Sequence, residues 1–250
     1  YTRLAECDEL PKTSQPSPDT FMKVFNEAVA AGDDVLGIFI SSDLSGTYQS
    51  ACLAALDVEE ETRKKLYMVD SRSASIGTAL LIREAVKLRD AGVNVSDIAA
   101  ACTEMSKYIK LTAVVGSLKY LKMGGRLSGA AAFAGTMLHI TPVVSIEDGK
   151  VVVIGKTRGK KAAEKLMHDK LIKDGLSLTR DFMFGHINCS ESLETFINKS
   201  LTYISDVNGN VGVSSIGCSV GTHVGPGTYG IAYVEAAESG MNRESIVKTA

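Results

Sequence analysis

No run of apolar residues in this sequence is long enough to span a bilayer; the longest weakly polar stretch, 129–140, is short and carries Gly135 and His139. A secretory signal peptide is not expected either. Neither sign of charge is in excess. The 27 Lys and Arg residues stand against 29 Asp and Glu, a formal net charge of -2, so the basic field of a nonspecific nucleic-acid binder is missing. The five cysteines, Cys7, Cys52, Cys102, Cys189 and Cys218, are odd in number and scattered, and none forms a closely spaced zinc or redox pair. Free thiols in a reducing cytoplasm are the expectation. The four histidines stand apart, without His-x-x-x-His or Glu-x-x-His spacing, so no metal site is expected. No Gly-x-Ser-x-Gly elbow encloses a serine, which argues against assembling Ser45, His223 and Asp43 or Asp70 into a hydrolase triad. There is no internal repeat.

What remains is 250 residues, 45% of them hydrophobic, enough for one large domain or two modest ones with real cores. Phe21, Val24, Phe25, Ala28 and Val29 recur at helical spacing over 19–31, behind Pro18 and Asp19. Short apolar runs at 34–40 and 66–69 read as buried strands, each followed by a helix, at about 47–56 and 75–89. Strand, helix, strand, helix with buried strands argues for parallel α/β order of the Rossmann-like kind. After a helix at 96–107 the pattern changes. Residues 111–115 read as a strand, a short helix ends at Gly124-Gly125, and 142–146 and 150–154 flank Glu147-Asp148-Gly149, a strong hairpin signal. Helices near 159–173 and 191–204 alternate with strands at 182–187, 211–216 and 229–234. An antiparallel sheet with helices on one face is the natural reading. The expected division is a parallel α/β domain over 1–92 and an α+β domain with an antiparallel sheet over 93–250, with a polar tail from Ala236.

Three loops concentrate hydroxyls, glycines and one histidine. Thr13-Ser14-Gln15-Pro16-Ser17-Pro18 is stiffened by its prolines and offers hydroxyl donors, or is simply a linker with a helix cap. Ser41-Ser42-Asp43-Leu44-Ser45-Gly46-Thr47 joins a buried strand to a helix start, where open α/β sheets place ligands and free N–H groups suit an anion. Gly46 would let an anion reach the backbone while Ser45 and Thr47 donate; a plain N-cap is the alternative. The segment lacks the Gly-Lys-Ser/Thr ending of a P-loop, so nucleoside triphosphate binding is not supported. In Gly221-Thr222-His223-Val224-Gly225-Pro226-Gly227 the glycines and proline bring His223 close to something, and imidazole can donate to a carboxylate. Arg126 sits on a turn loosened by Gly124 and Gly125. Arg158 lies in a basic run that is either a solvated face or, with Arg126, a site for an acidic partner.

These segments also carry a resemblance. Thr13-Ser14-Gln15-Pro16, Ser41 to Tyr48, Val69-Asp70-Ser71, Gly124 to Ser128 and Gly221 to Gly227 occur in the order seen in the DegV family, and the match runs from about Tyr1 to Val234. The resemblance implies a parallel α/β domain joined to a domain with an antiparallel sheet, holding a long-chain fatty acid without transforming it. It implies that Thr13, Ser45 with the Gly46 amide, and His223 hold the carboxylate. In Gram-positive relatives the protein presents its fatty acid to a separate kinase, and the resemblance implicates Arg126 and Arg158 in that docking. No cofactor beyond the bound lipid is implied. Family members place a strand ending in Asp-Ser-Thr well ahead of the Thr-Ser-Gln-Pro motif, whereas twelve residues precede Thr13 here. The first domain is therefore expected to lack its first strand. Leu44, Val115, Phe133 and Met137 are candidates for the tunnel wall, or ordinary core. The alternative function is an enzyme acting on an acyl or phosphorylated small molecule.

Overall fold

A computed structural model of the chain describes residues 1–6, 9–128, 140–177, 180–202 and 209–236. The chain opens with a short helix α1 (Thr2–Glu6) that the sequence patterns do not announce, and residues 10–17, which form no helix or strand, lead into α2 (Pro18–Ala30). Pro18 occupies the first turn of α2, where its missing N–H costs nothing. There follow β1 (Leu36–Phe39), α3 (Thr47–Thr62), β2 (Tyr67–Asp70), α4 (Ile76–Asp90) and α5 (Val95–Met105). Arg63 closes α3 in the left-handed conformation, and the Asn94 side chain caps α5 by accepting from the Asp97 N–H. The chain then runs through β3 (Ile109–Val114), α6 (Lys119–Met123), β4 (Thr141–Glu147), β5 (Lys150–Thr157), α7 (Lys160–Asp174), β6 (Phe182–His186), α8 (Ser190–Leu201), β7 (Val211–Ser215), α9 (Cys218–Val224) and β8 (Tyr229–Val234).

Two sheets result. β1 and β2 pair in parallel, as the alternation of buried strand and helix requires. The second sheet has the order β5-β4-β3-β8-β6-β7. It is antiparallel except at its last pair, where β7 runs parallel to β6. That exception follows from α8: a helical crossover returns the chain to the same end of the sheet, which a hairpin does not. The β4–β5 turn is the expected hairpin, with Asp148 and Gly149 both at positive φ.

Helices cover both faces of this larger sheet, not one. Met167, Leu171 and Phe196 of α7 and α8 pack on Phe184, Tyr229, Ile231 and Tyr233. On the other face Ile76 and Leu80 of α4 meet Ile109, Met183, Ala232 and Val234. The reason is α4 itself, which buries Ile76, Leu80, Leu81, Ala85 and Leu88 and touches β1 as well as β3, β6 and β8. One helix thus serves two sheets. The division at residue 92 remains our proposal: β1 and β2 precede it, β3 to β8 follow it, and α5 packs back on α4 and β2.

The expected glycine-rich loop ahead of β8 is partly helical, as α9. Gly225 and Gly227, at φ +85 and +79, then turn the chain tightly into the last strand. A Cβ at Gly225 would lie 2.2 Å from the Tyr120 ring, so glycine is required there on both counts.

Candidate functional site

The three hydroxyl-bearing loops converge. Residues 13–16 cross over α9, where the Thr13 hydroxyl lies 2.7 Å from His223 Nε2. Thr222 Oγ1 donates to the Pro11 carbonyl at 3.4 Å, and the Tyr1 hydroxyl donates to the Ile216 carbonyl at 2.7 Å, so the N-terminal segment is tied to α9 and to the residues just ahead of it. The loop after β1 turns sharply because the Leu44 and Ser45 N–H groups both donate to the Ser41 carbonyl. It delivers Ser45, whose hydroxyl pairs with that of Thr47 at 2.8 Å, to the start of α3. Asp70, at the end of β2, accepts from the Ser42 and Arg72 N–H groups and holds the two strand-end loops side by side.

Arg126 joins this group from the other sheet. Its Nε donates to the Leu44 carbonyl at 3.2 Å and its Nη1 to the Gly124 carbonyl at 2.6 Å, so one guanidinium ties the Ser45 loop to the glycine turn after α6. Gly124 packs against the imidazole: a Cβ there would lie 2.4 Å from His223 Nδ1. Nδ1 itself is buried and has no hydrogen-bond partner among the described residues. Burial, and then the positive charge of Arg126, push the His223 pKa below its ordinary 6.5. The ring is therefore neutral at pH 7.

Below these groups lies a cavity of about 440 Å³. Thr13, Ser45, Thr47, Arg126, Ser219 and His223 form its polar part, and Leu44, Leu111, Ala113, Val144, Ile146 and Val151 supply an apolar wall. Among the described residues no Asp or Glu lines it. An apolar cavity with a few convergent polar groups at one end suits an amphiphile with a single anionic head.

Thr13, Ser45, Arg126 and His223 are thus brought together. Gly46 is not on the cavity wall: the Gln15 amide covers it, and a Cβ at Gly46 would lie 2.6 Å from Gln15 Nε2. Arg158 lies apart, exposed on the turn between β5 and α7. Leu44 lines the cavity, Val115 is buried in the core beside it, and Phe133 and Met137 lie outside the described residues. The members of an imagined hydrolase triad have other partners: Ser45 pairs with Thr47, His223 with Thr13, Asp43 with Lys150 and Asp70 with backbone N–H groups. Among the described residues no His, Cys, Asp and Glu cluster could hold a metal ion, and no helix is long and apolar enough to cross a membrane.

The apolar wall is what loop reading missed. Leu111 with Ala113, and Val144 with Ile146, are two apart and so share a sheet face, a signal present in the sequence. Which face meets the hydroxyl loops is decided only when Leu121 of α6 and Ile40 and Leu44 of the loop after β1 pack on it.

The family model described as "Uncharacterised protein, DegV family" matches residues 1–236. The chain is 36% identical over 234 residues to a DegV domain-containing protein of Clostridium acetobutylicum, covering 90% of this chain and 78% of that one. A solved DegV family protein from Thermus thermophilus, reported for its fatty acid binding, superposes with a TM-score of 0.81 at 32% identity, over 93% of this chain and 82% of that one. The Streptococcus pneumoniae Fatty Acid Kinase (Fak) B3 protein, solved loaded with linoleic acid, shares the fold with a TM-score of 0.82 at 22% identity, over 94% and 82% of the two chains. Motif order, fold and family match agree, and the chain belongs to the DegV family.

Proposed function

We propose that this protein is a carrier that binds one long-chain fatty acid and presents it to a fatty acid kinase subunit, without itself catalysing a reaction. The observation that carries the reading is the cavity: an apolar wall that ends in hydroxyls, a neutral imidazole and a guanidinium, with no carboxylate among the described residues that line it. In this reading Thr13, Ser45 and His223 hold the carboxylate, while Arg126 and Arg158 serve the partner. The cytoplasm, where such a kinase works, is the proposed compartment.

Magnitudes assign the roles. Burying a methylene is worth about 0.8 kcal/mol, so a long acyl chain gains on the order of 10 kcal/mol. Association costs about 4–15 kcal/mol, so the tail supplies affinity and the head-group bonds set orientation.

Mass spectrometry of solvent extracts from purified protein tests the reading directly: a stoichiometric fatty acid is expected, and an empty extract with no uptake of added fatty acid rejects it. Ser45→Ala and His223→Ala are each expected to weaken binding by about 1–3 kcal/mol in lipid titration, as for a lost bond to a charged group. Unchanged affinity in both variants would reject the head-group assignment. Turnover of an acyl or phosphorylated small molecule, lost in Ser45→Ala, would make the protein an enzyme instead.

A further inference from the structure

We infer that Ser75 is a second polar contact inside the cavity, placed along the acyl chain and not at its head, and that the preferred cargo carries a hydroxyl on that chain; the inference rests on the carrier reading above. Ser75 lines the cavity where the loop after β2 joins α4. Its chain neighbours belong to apolar clusters, Ala74 with Ala113 and Val144, and Ile76 with Ile109 and Ala232. None of Thr13, Ser45, Arg126 and His223 is hydrogen-bonded to it. The two places lie towards opposite ends of β3. A Cβ at Gly77, in the first turn of α4, would lie 3.4 Å from Ile109, where β3 begins. A Cβ at Gly116, past the other end of β3, would lie 2.7 Å from the Pro226 carbonyl oxygen in the turn after α9.

A serine directly ahead of a helix ordinarily caps it. Ser75 does not: its hydroxyl makes no cap bond to α4 and meets no other partner among the described residues. Its backbone, at φ +49 and ψ -116, lies in a region that glycine adopts at far lower cost. Serine is thus neither the residue this turn prefers nor a cap that stabilises the helix. The other hydroxyls around the cavity are accounted for. Thr13 meets His223, Ser45 meets Thr47, Thr228 reaches the Val224 carbonyl, and Ser14 and Ser219 are exposed to water. In the same loop Ser71 pairs with Thr78 at 3.0 Å. Among the described lining residues, Ser75 alone offers a half-buried hydroxyl without a partner.

An unpartnered hydroxyl on an apolar wall selects what covers it. A plain acyl chain takes water away from Ser75 and gives no bond in return, whereas a chain hydroxyl replaces that water by donating or accepting. The group recognised is neutral. Among the described lining residues Arg126 and His223 are the ionisable ones, and both stand with the head-group hydroxyls, so nothing beside Ser75 balances a second carboxylate or a phosphate. Double bonds and methyl branches form no such hydrogen bond, so unsaturation and branching are not what Ser75 reads.

The test is titration of the lipid-stripped full chain with stearic acid and with hydroxystearic acids substituted next to the carboxylate, at mid-chain and near the methyl end. The same titrations are run on Ser75→Ala and Ser75→Gly. We expect an isomer substituted away from the carboxylate to bind the unmodified protein about 5- to 150-fold more tightly than stearic acid, the range set by a hydrogen bond otherwise left unmade. Both variants should lose that preference by binding the hydroxy acid more weakly. Ser75→Gly relieves the backbone at positive φ and so decides the matter should Ser75→Ala not fold. Three results overturn the inference and leave the carrier reading standing: stearic acid bound as tightly as every hydroxy isomer, a preference confined to the isomer substituted next to the carboxylate, or a preference that survives in both variants. No uptake of any of these acids by the unmodified protein overturns the carrier reading, and this inference with it.

Discussion

The two ends of the large sheet differ in what their charges do. At the end where β4 and β8 finish, cations and acids neutralise one another in place. Arg83 and Lys87 of α4 both reach Asp181 ahead of β6, Arg180 meets Glu84, Lys110 meets Glu235, and Lys170 bridges Glu147 and Asp174. These pairs fasten helices to the sheet. At the other end the cations face solvent, and α9 carries His223 into the cavity. Charge that is paired and half-buried stabilises the fold; exposed charge contributes little to stability and is free to recognise something else.

That contrast can be broken by mutation. The largest effect is expected from Arg180→Met, which leaves Glu84, a carboxylate 8% exposed, without its guanidinium. A loss of about 3 kcal/mol in urea unfolding is expected from removing one member of a buried ion pair. A loss under about 0.5 kcal/mol would show that this end is no more structural than the other.

Asp181 gives the next effect. Burial alone would raise its pKa, but Lys87, the Asn210 N–H and Arg83 outweigh burial and hold it down to about 2 from the ordinary 3.8. The unfolded chain therefore takes up this proton first as acid is added. The stabilisation is complete above the unfolded value and is lost as pH falls through the folded one. It amounts to on the order of 2 kcal/mol. Acid titration of Asp181→Asn should lack this component of the slope between about pH 4 and pH 2.

At the cationic end stability should likewise fall as pH is lowered, but in a higher window. His223 is held below its ordinary pKa by burial and by Arg126, so below about pH 6.5 the unfolded state binds this proton more readily and stability declines as pH falls towards the folded value. His223→Gln is expected to flatten the dependence of stability on pH in the interval below about pH 6.5. Unfolding curves of the two proteins that stay parallel across that interval would contradict the assignment. Smallest of all, Lys119→Gln and Lys161→Gln should change stability by less than about 0.5 kcal/mol, because neither side chain has an ionic partner among the described residues.

Much of this could be read from local pattern. The six-residue run Tyr229–Val234 coincides with β8, the Asp148-Gly149 hairpin forms, and the long helices begin within a few residues of where their periodicity places them, although α3 runs on to Thr62 rather than ending near Leu56. α9 escaped because Gly221 in its interior and Gly217 and Gly225 at its ends suppress any helical signal. Its seven residues are instead held by packing on α6 and by the N-terminal segment. The parallel β6–β7 pair was equally illegible, since direction depends on where α8 returns the chain and not on the residues of either strand.

Sequence alone therefore determined the kinds of element, the three loops that bear hydroxyls and imidazole, and the family, because each is written in short-range spacing. Tertiary structure alone decided that Thr13 meets His223 across 210 positions, that Arg126 turns inward to Leu44 while Arg158 stays outside, and that one face of β3 and β4 becomes an apolar wall. Contacts between distant segments depend on how helices and sheets pack. Two arginines with the same charge and reach part company once one of them finds backbone carbonyls to hold it inside.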